Sequence, residues 1–425
     1  MSNAPRSIVV DAREMLGNYG ATIQLAESVL LDTFGSPVRL SVIDELDSRH
    51  LVLRCKLEAA SDNAPASLIL KRLAVDAPPE QQPHPLGSFA NELSSLRFLG
   101  GLRNQVNVGP QLFGAHRRAG LLILEDLGAH QTLQGVLGGN DPRLAADTLL
   151  KLGRLLGKVQ LAALGKEGDF QVPQVASGVS LPPSVATQEL RSARADLDAC
   201  LDALQVRSPV GLCDAIGRLE EAIHDQDSPF RTWLHCDLKT QNVLRSKSGR
   251  VQLLDFEFAG FGHALLDAVS VRMAFPPPPV PVINSGRMVP PAVVCRFEDG
   301  YRTGIVRGIP KAADDDCYRE ALVQACAHWA LVKLLSMWRI DLKEHLSEGR
   351  AYDSERRTPH KTGYARFRQQ GVAYLQTFVV AAEEFEQLPI IRTAARGVIL
   401  ALLRIWPEIR PLHCFPAFVN GPDGG

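Results

Sequence analysis

Several features are missing from this chain, and each absence removes a class of function. There is no surplus of charge of one sign: 46 lysines and arginines stand against 47 aspartates and glutamates, a net charge of −1. Partners held by bulk electrostatics, nucleic acid or a membrane surface, are therefore not expected. There is no C-x-x-C pair among the eight cysteines (55, 200, 213, 236, 295, 317, 326 and 414), so metal and redox motifs built on such pairs are not expected either. There is no uninterrupted apolar run of membrane-spanning length. The most apolar helix-like segment, Ala321 to Trp338, is broken by Gln324, His328 and Lys333 and reads as a buried helix. The opening Met1-Ser2-Asn3-Ala4-Pro5 lacks the basic stretch and apolar core of a secretory signal, and no internal repeat is evident. Free thiols without a leader lead us to expect a cytoplasmic location.

What is present is an ordinary globular composition, 45% hydrophobic with 34 glycines, in 425 residues, enough for two lobes with a large buried interface. Helical spacing runs from Gly20 to Phe34. Strand-like runs follow at Val38–Ile43, Leu51–Leu57 and Ser67–Arg72. A loop rich in proline and glutamine, Ala77–Gly87, precedes a helix period at 89, 93, 96 and 99. Two more strands are expected at Leu112–Ala115 and Leu121–Leu124, ending in Glu125-Asp126-Leu127-Gly128, where glycine suits a hinge. Thereafter helices are expected near 143–164, 184–204, 209–224, 291–303, 314–345, 363–387 and 389–404. Short strands interrupt them around 235–255, and a run of four prolines starts at Pro276. The polar stretch Gly349–Thr362 reads as a mobile loop, and Gly421–Gly425 as a frayed tail.

The informative stretch is His235-Cys236-Asp237-Leu238-Lys239-Thr240-Gln241-Asn242, followed after the apolar run Val251–Leu254 by Asp255-Phe256-Glu257. Phosphoryl transfer to a hydroxyl needs one carboxylate to orient the hydroxyl. It also needs an amide oxygen and a second carboxylate to hold Mg²⁺ against the phosphates. Asp237, Asn242 and Asp255 supply that set. His235 reads as a structural histidine beside a strand. Upstream, Lys71 lies on an otherwise apolar strand, which is costly unless the ammonium is paired. Glu92, 21 residues later on the next helix, is its natural partner.

These motifs resemble the aminoglycoside phosphotransferase and choline kinase group of small-molecule kinases, which share the fold of protein kinases. The resemblance continues through Ala259-Gly260-Phe261-Gly262-His263-Ala264-Leu265-Leu266-Asp267 and is strongest from about Lys71 to Asp267. It implies an α+β, two-lobed fold. The N-terminal lobe, 1–125, would hold a small antiparallel sheet with one helix, and 126–425 a mainly helical lobe with the catalytic loop and acceptor site. It implies ATP and Mg²⁺ as cofactors and a hydroxyl of a small molecule as acceptor. Asp237 would be catalytic, and Asn242 and Asp255 would bind metal. Lys71 would bind the α- and β-phosphates, with Glu92 holding it at the cleft between lobes. The Glu125 and Leu127 backbone would bond the adenine edge. Lys239, two residues after the aspartate, resembles the lysine that meets the γ-phosphate in protein kinases. Asp267 would stabilise the loop, and Glu257 would assist nearby or bind a second metal.

The sequence departs from the family in places. No glycine-rich loop joins the first two strands, where Asp44-Glu45-Leu46-Asp47-Ser48-Arg49-His50 stands instead. Lys239 stands where many antibiotic kinases carry histidine, and Cys236 replaces a common glycine. The missing glycine loop, and the absence of room for a long activation segment after Asp255, speak against a protein kinase. A non-catalytic nucleotide-binding module is the other rival, and the presence of Lys71, Asp237, Asn242 and Asp255 together speaks against it. The acceptor's identity, be it sugar, amino alcohol, antibiotic or similar alcohol, is not written in the C-terminal sequence.

Overall fold

A computed structural model of the chain describes residues 12–47, 51–59, 64–72, 85–170, 196–275, 287–347 and 361–419. It is a mixed α+β protein with two compact units. One comprises Met1–Gly100 and Pro110–Gly128, the other Gly101–Gly109 and Ala129–Gly425.

The first unit is built on an antiparallel sheet of five strands: β1 (Val38–Asp47), β2 (Leu51–Ala59), β3 (Ser67–Arg72), β4 (Leu112–His116) and β5 (Leu121–Glu125). Their spatial order is β1-β2-β3-β5-β4. Alternation along the strands sorts the side chains onto two faces. One face gathers Val38, Leu40, Leu53, Cys55, Leu57, Leu68, Leu70, Leu121 and Ile123, and the N-terminal helix Ala12–Phe34 buries it with Ala26 and Leu30. Full burial of a leucine such as Leu53, Leu68 or Leu70 contributes about 1.5–3 kcal/mol. Arg72, on the same face at the strand end, donates from Nη1 to Thr22 Oγ1 of that helix at 2.9 Å. The opposite face carries Lys71, and the second helix, Pro85–Gly101, meets it there. β1 is an edge strand. Its Leu40 amide is taken by Glu27 Oε1 at 2.9 Å, and Tyr19 Oη donates to Glu45 Oε2 at 2.5 Å, so the helix also braces the edge.

The second unit is mainly helical. The helix Pro142–Ala163 starts with Asp141 capping the Arg143 and Leu144 amides at 3.0 and 2.9 Å and with proline in its first turn. It crosses Pro291–Ile305 so closely that a Cβ on Gly153 would lie 2.3 Å from Phe297 O. One on Gly157 would lie 2.5 Å from Tyr301 O. Glycine is required there by contact, not by backbone angle. The helix Asp315–Met337 continues through a π-helical turn, Trp338–Leu342, into Lys343–Ser347, and packs on Lys361–Glu384, which packs on Pro389–Ile405. It is the one described helix apolar and long enough to cross a membrane, yet 83% of its most apolar window is buried inside the protein, as in a core helix. Two small sheets complete the unit: β6 (His130–Thr132), β8 (Val243–Ser246) and β9 (Val251–Leu253) form one, and β7 (Arg231–Leu234) pairs with β10 (Gly260–His263) in the other.

Elements expected from the sequence are present with altered bounds. The first helix begins at Ala12 and the second at Pro85. β1 runs to Asp47 because irregularities at Val42/Asp44 and Glu45/Asp47 let it stay paired to β2 after the apolar alternation fails. Residues 196–203 are helical, while 184–195 lie outside the described residues. So do most of the loops expected at 77–87 and 349–362, Ser48 to His50, the proline run and the tail.

Candidate active site

The catalytic-loop motif lies between β7 and β8, and the Asp-Phe-Glu motif between β9 and β10. Two hydrogen bonds to the Leu254 backbone join the two. The Asn242 carbonyl accepts from the Leu254 amide at 2.8 Å, and the Leu254 carbonyl meets His235 Nε2 at 2.8 Å. Both backbone groups of the residue before Asp255 are thereby fixed by the other motif. His235 Nδ1 accepts from the Asp237 amide at 3.3 Å, which assigns the ring proton to Nε2. His235 is fully buried, its ring edge-on to Trp233 and tilted against Phe256.

Asp267 closes the loop from the other side. One carboxylate oxygen accepts from the His235 amide at 2.6 Å and the other from the Cys236 amide at 3.1 Å. Burial pushes the Asp267 carboxyl up, although His235 and the two amides pull it down. Cys236 sits between these anchors in left-handed backbone, φ +61°, a conformation that favours glycine. Asp255 is also left-handed, at φ +66°. Two non-glycine residues in this region, one in each motif, mark the local strain common at functional sites.

Asp237 is buried, 8% exposed. Its Oδ2 pairs with Lys239 Nζ at 2.7 Å and accepts from Asn242 Nδ2 at 3.1 Å. Asn242 Nδ2 also donates to the Asp237 carbonyl at 3.0 Å. These bonds spend the Asn242 amide hydrogens on Asp237 and fix Oδ1 as the remaining oxygen donor. Burial raises the Asp237 carboxyl; Lys239 opposes this, and Asp255 reinforces it. Lys239 is thus bonded to the carboxylate two residues before it. An amide oxygen and carboxylates form the hard-oxygen donor set that suits Mg²⁺.

Lys71 and Glu92 meet in the first unit. Nζ lies 2.7 Å from Oε2 and 2.8 Å from Oε1, with the two side chains 15% and 4% exposed. The pair is largely desolvated, so Glu92 locks the ammonium in direction as well as in charge. Glu125 ends β5. Its amide donates to Gln111 O at 2.8 Å and its Oε2 accepts from the Gln111 amide at 3.0 Å. Leu127 is half-buried.

Sequence reasoning missed Gln160 and Asp126. Gln160 is fully buried, accepts from Thr232 Oγ1 at its carbonyl and from Tyr301 Oη at Oε1, both at 2.6 Å, and reaches Ala264 O. It ties β7 and the segment after β10 to two helices. Asp126 binds Ser67, Arg54 and the Gly128 amide. Neither residue stands in a motif, because most of their side-chain partners are distant in sequence. A buried glutamine on an apolar helix face was the available signal for the first.

The chain was compared with known proteins. Residues 51–288 match the model of the phosphotransferase enzyme family APH. No curated protein matches in sequence. Among solved structures, the choline kinase LicA from Streptococcus pneumoniae is similar at TM-score 0.40 and 12% identity, covering 86% of this chain and 99% of that one. The Plasmodium vivax ethanolamine kinase is similar at TM-score 0.44 and 14% identity, covering 91% and 92%. The macrolide 2′-phosphotransferase MphH from Brachybacterium faecium is similar at TM-score 0.42 and 14% identity, covering 82% and 97%. Because the family model takes in more than half of its length, this chain belongs to the phosphotransferase enzyme family APH.

Proposed function

We propose that the chain transfers the γ-phosphoryl group of ATP to a hydroxyl of a small molecule. The observation that carries this reading is the Asp237–Asn242 arrangement. A buried carboxylate and an amide are bonded to each other; the amide's residue is tied by backbone to the residue preceding Asp255, and the carboxylate's residue is linked to it through the His235 ring.

In this reading Asp237 accepts a hydrogen bond from the acceptor hydroxyl and aims that hydroxyl's oxygen at the γ-phosphorus, taking the proton as the new P–O bond forms and the bond from the γ-phosphorus to the β–γ bridging oxygen breaks, releasing ADP. Its raised carboxyl suits a group that must take up a proton late. Lys239 holds Asp237 before the acceptor arrives and would then meet charge on the transferring group. Lys71, aligned by Glu92, binds the α- and β-phosphates. Asn242 through Oδ1 and Asp255 through its carboxylate would hold Mg²⁺, whose chemistry is to neutralise charge on the β- and γ-phosphate oxygens. The backbone of Leu127, and of Glu125, whose amide is already spent on Gln111, would bond the nucleotide base.

The test is ADP release across a library of small hydroxyl compounds, with wild type, Asp237→Asn and Lys71→Met assayed in parallel. Acceptor-dependent ADP release in wild type, and its loss in both variants, is expected. ATP binding without transfer to any hydroxyl would instead favour a non-catalytic nucleotide-binding module, and transfer only to peptides would favour a protein kinase.

A further inference from the structure

Asp126 is the most highly connected side chain of the segment that follows β5. Its side chain is 6% exposed, although it follows a strand end at the surface. Oδ2 accepts from Ser67 Oγ of β3 at 2.7 Å and lies 3.0 Å from Arg54 Nε of β2. Oδ1 accepts from the Gly128 amide, two residues ahead, at 2.9 Å. The last bond closes an Asx turn around Leu127. Gly128 completes it in left-handed backbone, φ +78°, which a side chain rarely adopts. Burial alone would raise the Asp126 carboxyl. The Gly128 amide, Ser67 and Arg54 together outweigh it and hold the group below the usual range, as a charged anchor.

The turn has a consequence for Leu127. Among the described residues, neither its amide nor its carbonyl makes a hydrogen bond. Both groups are therefore open to an outside partner. Here Asp126 is pinned to β2 and β3, and the Gly128 amide is pinned to Asp126, which holds the Leu127 peptide between them.

We propose that Asp126 is a positioning residue for the nucleotide base: clamped by Arg54 and Ser67, it presents the Leu127 amide and carbonyl to a purine edge carrying an acceptor beside a donor. The inference rests on the ATP reading above. Preorganising these two groups spares the bound state the cost of ordering the turn. Asp126 touches no phosphate in this account, and so its influence is confined to the base.

That confinement gives the test. Affinities for ATP and for inorganic tripolyphosphate, both with Mg²⁺, are measured by calorimetry on the full chain. For Asp126→Ala, ATP should bind about tenfold or more weakly, the scale of one or two hydrogen bonds, while tripolyphosphate should bind as in wild type. Asp126→Asn keeps an oxygen for the Gly128 amide and should recover part of the loss. Ser67→Ala removes one contact without touching the turn and should give a smaller loss, with folding followed by circular dichroism. Wild-type ATP affinity in Asp126→Ala, or parallel losses for ATP and tripolyphosphate, would overturn the proposal. A wild-type protein that binds neither ligand overturns the nucleotide reading itself, and this inference with it.

Discussion

Four influences meet on the Asp237 carboxylate: burial, which raises it; Lys239 and His235, which lower it; and Asp255, which raises it again. If Asp237 orients and deprotonates the acceptor, Asp237→Asn should lower kcat by about 100- to 10,000-fold, the range for a positioned base. ATP affinity should survive, since the phosphates are assigned to Lys71, Asn242 and Asp255. Lys239→Met removes the largest opposing charge, so the Asp237 carboxyl should rise further and the acid limb of the pH–rate profile should move to higher pH. An unmoved acid limb in that variant would show that another group sets it. The motif residues were legible because His235, Asp237 and Asn242 fall within one eight-residue stretch, where spacing alone implies a shared turn. Asp126 was not legible: Ser67 lies 59 residues away, and only the sheet brings the two together.

At the scale of elements, close approach has replaced side-chain packing where Pro142–Ala163 crosses Pro291–Ile305. Gly157→Ala would drive a methyl into Tyr301 O and the Gly304 backbone, groups that cannot swing aside. We expect it to cost about 1–3 kcal/mol in denaturant unfolding. Gly100, exposed on the helix Pro85–Gly101 with open space around it, should behave oppositely, Gly100→Ala gaining up to about 1 kcal/mol. Long helices were readable from apolar spacing because burial of one face imposes the period. The three-residue strand β6 was not, since so short a segment has no period and exists through pairing with β8. The first turns of the N-terminal helix were missed: it begins at Ala12, ahead of the helical spacing read from Gly20.

At the scale of the whole molecule, stability should depend on pH through Lys333. This lysine is 6% exposed, and its ammonium lies 3.7 Å from the centre of the Phe367 ring. Burial brings its pKa down from 10.5 to about 7. Between those values the unfolded chain binds the proton and the folded chain does not, so this group makes the protein more stable as pH rises through that window. Below pH 7 the full cost of burying charge remains. Lys333→Met should therefore raise Tm at pH 6 by about 2–4 °C for each kcal/mol relieved, and the advantage should shrink steadily toward pH 10. A constant offset across that range would mean that packing, not ionisation, separates the two proteins. A lysine in the middle of an apolar segment was visible in the sequence; that no carboxylate pairs with it among the described residues was not. Balanced charge likewise says nothing of where acids gather, and on β1 their placement matters. Glu27 already occupies the Leu40 amide, and the remaining length of that edge carries Asp44, Glu45 and Asp47. A second copy approaching edge to edge would find the first amide taken and like charges opposite its own, so sheets from separate molecules are kept from fusing at high concentration.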